Sequence, residues 1–483
     1  MVALPGIVAA AAIDVLVVGM VGDAVSLDPH RATDLVSAAI VANVCEPLVR
    51  YSADGARAEP ALATTWATRD ARRWTFTLRQ GVRFHDGAMF DADAVLVNLA
   101  RIARVRAFPG VAERGGAHVV TITLDRPNAA LLATLSQPFF AMVSPREIAR
   151  GGGQPIGTGP FRLAQVRDSG VQLDAYPEHW RGAPRLDKLL FPRFADDRAL
   201  VEALVAGHVD VAPAAGHDRV EKLRGREDVV LRARTGDNIA FLSLNNERPP
   251  LDDRRVRQAI AHAIDREALV ARILGGHAEP ARNPLPPALW GYGLRTPALV
   301  LDRPASRRLL RDAGYARGFS TGLLVVDAPR PYNPDPIALG RAVADALGEI
   351  GIAVRIERAP GWAAFLDRAT RGEYAMAVMG WQADTPDPND FLSVLLGSEF
   401  VGSTNRSRYR SPAMDVLLKQ GRRGDDQRER AVSYLQAQTL FRRDMPWVPL
   451  FHVPVFTVHR RDVQGLVVGP TGIPRYERVW KKS

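Results

Sequence analysis

Residues 320–384 read STGLLVVDAPRPYNPDPIALGRAVADALGEIGIAVRIERAPGWAAFLDRATRGEYAMAVMGWQAD. Leu323 to Val326 is an apolar run of strand length. From Ile337 to Leu347 the apolar positions Leu339, Val343 and Leu347 recur every four residues, one face of a helix. Ala353 to Ile356 reads as a second strand and Trp362 to Ala369 as a second helix. Tyr374 to Met379 is a third strand, apolar enough to be buried on both faces. Strands that alternate with helices need crossovers, so the sheet is expected to be parallel. In such sheets ligands bind in the crevice outside the carboxyl ends of the strands. Arg330 follows the first strand and Asp384 the third. A guanidinium grips a carboxylate through two parallel hydrogen bonds, and a carboxylate binds an ammonium; both bonds are charge-assisted. The pattern alone suits either a zwitterionic ligand with both termini free or an ion pair of these two side chains with each other or with local partners.

Outward from this stretch the chain keeps mixing strands and helices. Trp74 to Leu78 and Val119 to Leu124 alternate as half-buried strands do, and Asp91 opens a helix through Ala94, Val95 and Leu99. The run Gly151-Gly152-Gly153 marks a loop, and strands are expected at 171–175 and 189–191. Phe241 to Asn246 reads as a strand entering a polar link. Asp252 is expected to cap one long helix with apolar positions Val256, Ala259, Ile260, Ala263, Ile264 and Ile273, ended by Gly275-Gly276.

With 483 residues the chain exceeds a single core, and with 47% hydrophobic and 24% charged residues it is an ordinary folded protein. The net charge of +10 raises nucleic acid or an anionic membrane as partners. Its arginines, however, form short groups such as Arg72-Arg73, Arg254-Arg255 and Arg442-Arg443, not a tail or stripe, so a solvated surface is expected and no nucleic acid. The single cysteine, Cys45, excludes an intrachain disulfide and sits among apolar Val41, Val44 and Leu48. Met1 to Ile13 is apolar and rich in alanine near its end. It is too short for the roughly 20 residues of a membrane span. Residues 1–12 are expected to be the remnant of a secretory signal that lacks its positive leader.

Two enzyme signatures are missing: no H-E-x-x-H and no G-x-x-x-x-G-K-[ST] loop occurs. The glycines at 151–159 do not have dinucleotide-loop spacing. No histidines pair at metal-ligand spacing, and His85 beside Asp86 reads as a turn hydrogen bond.

Six motifs stand in a fixed order: Ser26-Leu27-Asp28-Pro29; Trp74 to Arg79 leading into Val82-Arg83-Phe84-His85-Asp86-Gly87; Gly157-Thr158-Gly159-Pro160-Phe161; Asp253 to Ile260; Ala263-Ile264-Asp265-Arg266; and Pro446-Trp447-Val448-Pro449-Leu450. In these the chain resembles, nearly end to end, the large periplasmic dipeptide- and oligopeptide-binding proteins of ABC importers. The resemblance implies an α/β, two-lobed periplasmic binding protein fold of the class II type with an extra subdomain inserted in the first lobe. On that plan residues 13–245 form the first lobe, with the insertion at about 45–155. Residues 246–458 form the second lobe, and 459–483 return to the first.

It also implies a non-enzymatic, extracytoplasmic monomer that needs no cofactor or metal. Such a protein takes a small peptide between closing lobes and passes it to an ABC importer permease. Arg330-Pro331-Tyr332-Asn333-Pro334 is similar to the family motif whose arginine binds the peptide carboxylate. Gly380-Trp381-Gln382-Ala383-Asp384 is similar to the one whose aspartate binds the α-amine. Tyr332 and Trp381 are expected as pocket walls or as core packing. The alternatives are another solute on the same scaffold (glutathione, haem, an opine-like compound or a metal chelate) and a peptide hydrolase.

Overall fold

A computed structural model of the chain describes residues 13–106, 108, 110–215, 220–424, 426–469 and 471–482. The expected signal remnant at 1–12 lies outside them. The fold is mixed α/β and its sheets divide between two lobes.

The second lobe is built on a six-stranded sheet in the order Glu279–Pro280, Trp447–His452, Asn238–Leu244, Met376–Gln382, Phe319–Val326, Ile352–Ala359. Its last three strands are the ones read from the 320–384 stretch. They run parallel, with Leu323 opposite Met376 and Phe319 to Val326 in register with Ile352 to Ala359. The crossover helices are Pro336–Gly348 and Gly361–Arg371. Asn238–Leu244 and Trp447–His452 are buried along their whole length because helices cover both faces of the sheet. They run antiparallel to each other, and Asn238–Leu244 also pairs antiparallel with Met376–Gln382, so the sheet is mixed and not wholly parallel.

The first lobe holds a sheet of Val15–Val17, Lys188–Phe194, Gly170–Ala175 and Phe161–Arg167, with Met20–Val21 added beside Lys188–Phe194. A second sheet pairs Val455–Arg460 with Val211–Ala215 on one side and Val229–Arg234 on the other. The insertion is a four-stranded antiparallel sheet (Ala63–Thr68, Arg73–Leu78, Val119–Leu124, Gly110–Gly116) under the helix Ala92–Val105. Asp91 caps that helix through a 2.9 Å bond from the Ala94 N–H to Oδ1. The insertion has its own core, drawn from Leu48 to Met142 and including Trp74, Phe76, Phe84 and Phe90. Gly157 needs its missing side chain: a Cβ there would sit 2.1 Å from the Val44 carbonyl oxygen and 2.6 Å from the Cys45 Cα. The Gly157-Thr158-Gly159 motif therefore lets the chain pass directly against the segment 43–45. Cys45 is buried beside it and unpaired, and burial pushes its thiol pKa up.

Two local expectations are corrected. The helix after residue 252 is two helices, Arg254–Ala263 and Arg266–Leu274, and the first is capped by Asp253, not Asp252. Ile264 and Asp265 leave helical geometry so that Asp265 can accept the Ala268 N–H at 3.0 Å and start the second helix. The polar link at Asn245-Asn246 is not where the chain changes sheet. The changes come between Arg234 and Asn238 and between His452 and Val455, whereas the family plan carried the lobe boundaries 245/246 and 458/459. The reason is that Asn245 and Asn246 spend their side chains inside the second lobe, on the carbonyls of Gly372, Tyr374, Ser407 and Pro446.

At the two crossings the strands are clipped together. The buried Asn238 side chain donates to the Val453 carbonyl at 2.8 Å and accepts the Val453 N–H at 2.9 Å. A Cβ on Gly236 would lie 2.2 Å from that same carbonyl, so glycine is what allows the two connections to lie side by side.

Candidate ligand-binding cleft

The carboxyl ends of Phe319–Val326 and Met376–Gln382 open at one edge of the large sheet and face the first lobe. After the first strand, Arg330 and Asn333 exchange backbone hydrogen bonds of 2.9 and 2.8 Å, which closes a tight turn. Asp327 accepts the Gly361 N–H at 2.7 Å and ties this turn to the start of the second crossover helix. Trp362 thereby comes under Arg330, whose guanidinium lies 4.1 Å from the ring centroid. The Nε of Arg330 is buried without a hydrogen-bond partner.

The loop after the other strand is held mainly through its backbone. The Ala383 N–H donates to the Asp237 carbonyl at 2.7 Å, and the Asp384 and Thr385 N–H groups donate to Asp390 Oδ2 at 2.6 and 3.0 Å. Trp290 Nε1 donates to the Pro386 carbonyl at 3.1 Å. Behind these, Asp387 takes two 2.8 Å bonds from Arg430 Nη2. The Asp384 carboxylate takes no part in this scaffold and points to solvent at the cleft. Burial by the cleft walls raises its pKa, and Arg106 of the first lobe opposes the rise.

Among the described residues neither Arg330 nor Asp384 has an opposite charge at ion-pair distance, so they pair neither with each other nor locally. They line adjoining chambers of one interlobe cleft. Asp384 faces a chamber with an empty volume of about 1050 Å³ that opens to solvent. Its first-lobe wall carries Arg50, Arg181, Arg475, Glu46 and Glu477. Arg330 faces the second, about 1170 Å³, together with Asn238, Gln382 and Pro454 near the crossings. Leu35, Thr471 and Ile473 line both chambers. The lobes already touch at this edge, where Gln137 Nε2 of the insertion donates to the Asp384 carbonyl at 3.0 Å.

Tyr332 and Trp381 are placed differently from the two charges, since neither lines these chambers. Tyr332 is buried with its ring against Gly380, where a Cβ would meet its Cδ2 at 2.1 Å. It thus braces the Arg330 turn against the strand that leads to Asp384. Trp381 is half-buried against the second-lobe core. His85 hydrogen-bonds the Gly159 carbonyl at 2.9 Å, not Asp86, and burial brings its pKa down to about 4. Asp86 instead accepts from the Ala88 N–H and the Ser144 hydroxyl. Among the described residues no group of three or more His, Cys, Asp or Glu side chains is arranged to hold a metal ion, and no helix is long and apolar enough to cross a membrane.

Asp390 gives this loop a pH dependence. Burial, with the charges of Asp384 and Asp387 adding to it, pushes its carboxyl up to about 8 from an ordinary 3.8. Between those values the folded chain holds a proton that the unfolded chain releases. That contribution to stability is complete below the ordinary value and is lost as pH rises through about 8. Urea unfolding at pH 5 and pH 8 should show the decline, and Asp390→Asn, which keeps an acceptor oxygen but cannot ionise, should flatten it. An unchanged slope in that variant would place the titration elsewhere.

The family described as bacterial extracellular solute-binding proteins, family 5 Middle, matches residues 57–403. The chain is 29% identical over 462 residues to heme-binding protein A of Haemophilus influenzae, covering 88% of this chain and 84% of that one. It is 31% identical over 471 residues to the probable di/tripeptide-binding protein 5 of Pseudomonas aeruginosa, covering 89% of each. The crystal structure of the dipeptide binding protein from Pseudoalteromonas sp. SM9913 in complex with Met-Leu superposes with a TM-score of 0.79 at 27% identity, over 97% of this chain and 100% of that one.

Proposed function

The chain belongs to the bacterial extracellular solute-binding proteins, family 5, and from that premise we propose that it is the extracytoplasmic receptor of an ABC importer, capturing dipeptides or other short peptides in the cleft between its lobes. Arg330 takes the ligand's carboxylate and Asp384 its free α-amine. The observation that carries this reading is the pair of opposite charges that have no counter-charge among the described residues, at neighbouring ends of parallel strands and facing one cleft. A zwitterion supplies both counter-charges at once, and closing the cleft over it takes both pairs out of water. The name of the Pseudomonas aeruginosa relative supports a peptide ligand, as does the Met-Leu complex of the Pseudoalteromonas protein.

Capture works by closure about the two crossings. The termini dock on the second lobe, and the first lobe swings over them and removes water, which strengthens both charge-assisted bonds. Side chains are left in open chamber space where ordered water can satisfy varied groups. The spacing of the two charges selects for ligand length. The closed form offers the membrane permease a surface made of both lobes, and the ligand leaves unchanged, since a receptor needs no catalytic group.

Calorimetric titration of ligand-stripped protein with a dipeptide panel tests the reading. Free dipeptides should bind. N-acetylation or C-amidation should each weaken binding by roughly 30-fold or more, the order expected when one buried charge pair loses a partner. If no dipeptide binds, the peptide reading fails and the ligand is another solute. If the capped peptides bind as well as the free ones, the two charges do not hold the termini.

A further inference from the structure

Three arginines reach the Asp384 chamber from distant parts of the first lobe: Arg50, Arg181 and Arg475. The acidic groups beside them are largely engaged. Glu477 Oε1 is shared by Arg50 Nη1 at 3.2 Å and Arg181 Nη1 at 3.5 Å. Glu46 is buried and taken by Trp180 Nε1 at 2.7 Å, by the Thr158 hydroxyl at 2.9 Å and by His179 at 3.5 Å. Arg50 has a second partner in Glu59 at 3.5 Å, and Arg181 is stacked 4.2 Å over the Trp180 ring. Arg475 has none of this. Among the described residues no carboxylate stands at ion-pair distance from its guanidinium and no acceptor is bonded to it. Burial pulls its pKa down and Arg50 adds to the effect, while the more distant charges of Glu477, Glu46 and Glu59 oppose it. A half-buried guanidinium beside a second one, with no counter-ion of its own, makes a receptor for an anion.

We propose that Arg475 forms a subsite for a second carboxylate, carried by the side chain of the ligand residue whose α-amine meets Asp384, so that the preferred peptides begin with an acidic residue. The inference rests on the peptide reading above. It goes beyond it because the terminal carboxylate is assigned to Arg330 in the other chamber, which leaves Arg475 unanswered by a peptide with an uncharged first side chain. Asp384 and Arg475 line the same chamber and Arg330 the other, and on that basis the second carboxylate is assigned to the residue whose ammonium meets Asp384. The guanidinium fork matches a carboxylate in two parallel hydrogen bonds, and Arg50 adds field without competing for the same oxygens, being held by Glu59 and Glu477.

Titration with Glu-Ala, Gln-Ala and Ala-Glu tests this. Glu-Ala and Gln-Ala have the same shape and differ by one charge. The wild-type protein should bind Glu-Ala about tenfold or more tighter than Gln-Ala, the order expected for one charge-assisted pair. Ala-Glu, with the extra carboxylate on the other residue, should gain much less. In Arg475→Gln the ratio of Glu-Ala to Gln-Ala affinity should fall to near one. Arg475→Lys, which keeps the charge and loses the fork, should retain part of it. Equal binding of Glu-Ala and Gln-Ala by the wild type overturns the subsite and leaves the peptide reading standing. A preference that survives in Arg475→Gln overturns the role of Arg475. If none of the three dipeptides binds, the peptide reading itself falls and the subsite with it.

Discussion

Asp384→Ala should weaken dipeptide binding by about 30-fold or more, and Arg330→Ala by a similar factor. Removing one partner of a desolvated charge pair leaves the other buried and unanswered, which costs on the order of 2–5 kcal/mol. Both side chains can be cut back with little harm to the fold. The Asp384 carboxylate bonds nothing in the scaffold around it, and that loop is held mainly by backbone groups and by Asp390, Trp290 and Asp387. Arg330 stacks on Trp362, but its turn is closed by backbone bonds to Asn333. A lost affinity in either variant therefore reports the ligand contact, and unchanged unfolding curves would confirm that separation. The stricter form is a cycle between protein and ligand. N-acetylation should hurt binding to the wild type strongly and add little to the loss in Asp384→Ala, because both changes delete the same bond. Additive losses would mean that the amine and Asp384 do not meet. If neither substitution matters, the ligand is held elsewhere in the cleft.

The second large effect concerns stability. Asp387 is fully buried and Arg430 nearly so, at 0% and 7% side-chain exposure, and the guanidinium Nη2 reaches both carboxylate oxygens at 2.8 Å. Arg430 also donates to the Gly421 carbonyl at 2.7 Å and lies 4.8 Å over the Trp290 ring. Arg430→Ala or Asp387→Ala should each cost about 3–5 kcal/mol in urea unfolding, because each strands a buried charge. The double change Asp387→Leu with Arg430→Met should cost much less than the sum of the single losses, since no charge is then left uncompensated. The same single variants should weaken ligand binding too. Trp290, which bonds Pro386 two residues from Asp384, packs against Arg430, so the loop that aims the carboxylate loosens with the pair. A stability loss below about 1 kcal/mol, the range of an exposed pair, would show that water reaches this site in solution.

The 320–384 stretch was legible because its signals are local. Three apolar runs separated by four-residue periodicity specify strands and crossover helices whatever surrounds them. Crossovers in turn align the strands and bring the ends bearing Arg330 and Asp384 to one sheet edge. The helix break at Ile264 escaped because apolar periodicity runs through it, and only the capping geometry of Asp265 distinguishes two helices from one. A sharper sequence signal existed there: an aspartate with Glu267 in the turn that follows it is a helix start. Asn245-Asn246 is ambiguous for a similar reason. A polar pair such as Asn245-Asn246 reads as a link when its hydrogen-bond partners, 120 to 200 residues away, are unknown.

Sequence by itself determined the family, the two-lobed α/β plan, the parallel unit and the two charged strand ends, because each is written in short-range pattern or in ordered motifs. Tertiary structure alone decided that those charges stay unpaired, that Tyr332 packs on Gly380 instead of lining a chamber, and that the crossings are clipped at Asn238. It alone brought Arg50, Arg181 and Arg475 to the chamber of Asp384. No local pattern marks an arginine as lacking a partner. That property depends on which carboxylates the folded chain places near it and which other donors have already engaged them, and it exists only once the first lobe has assembled around residues 50, 181 and 475.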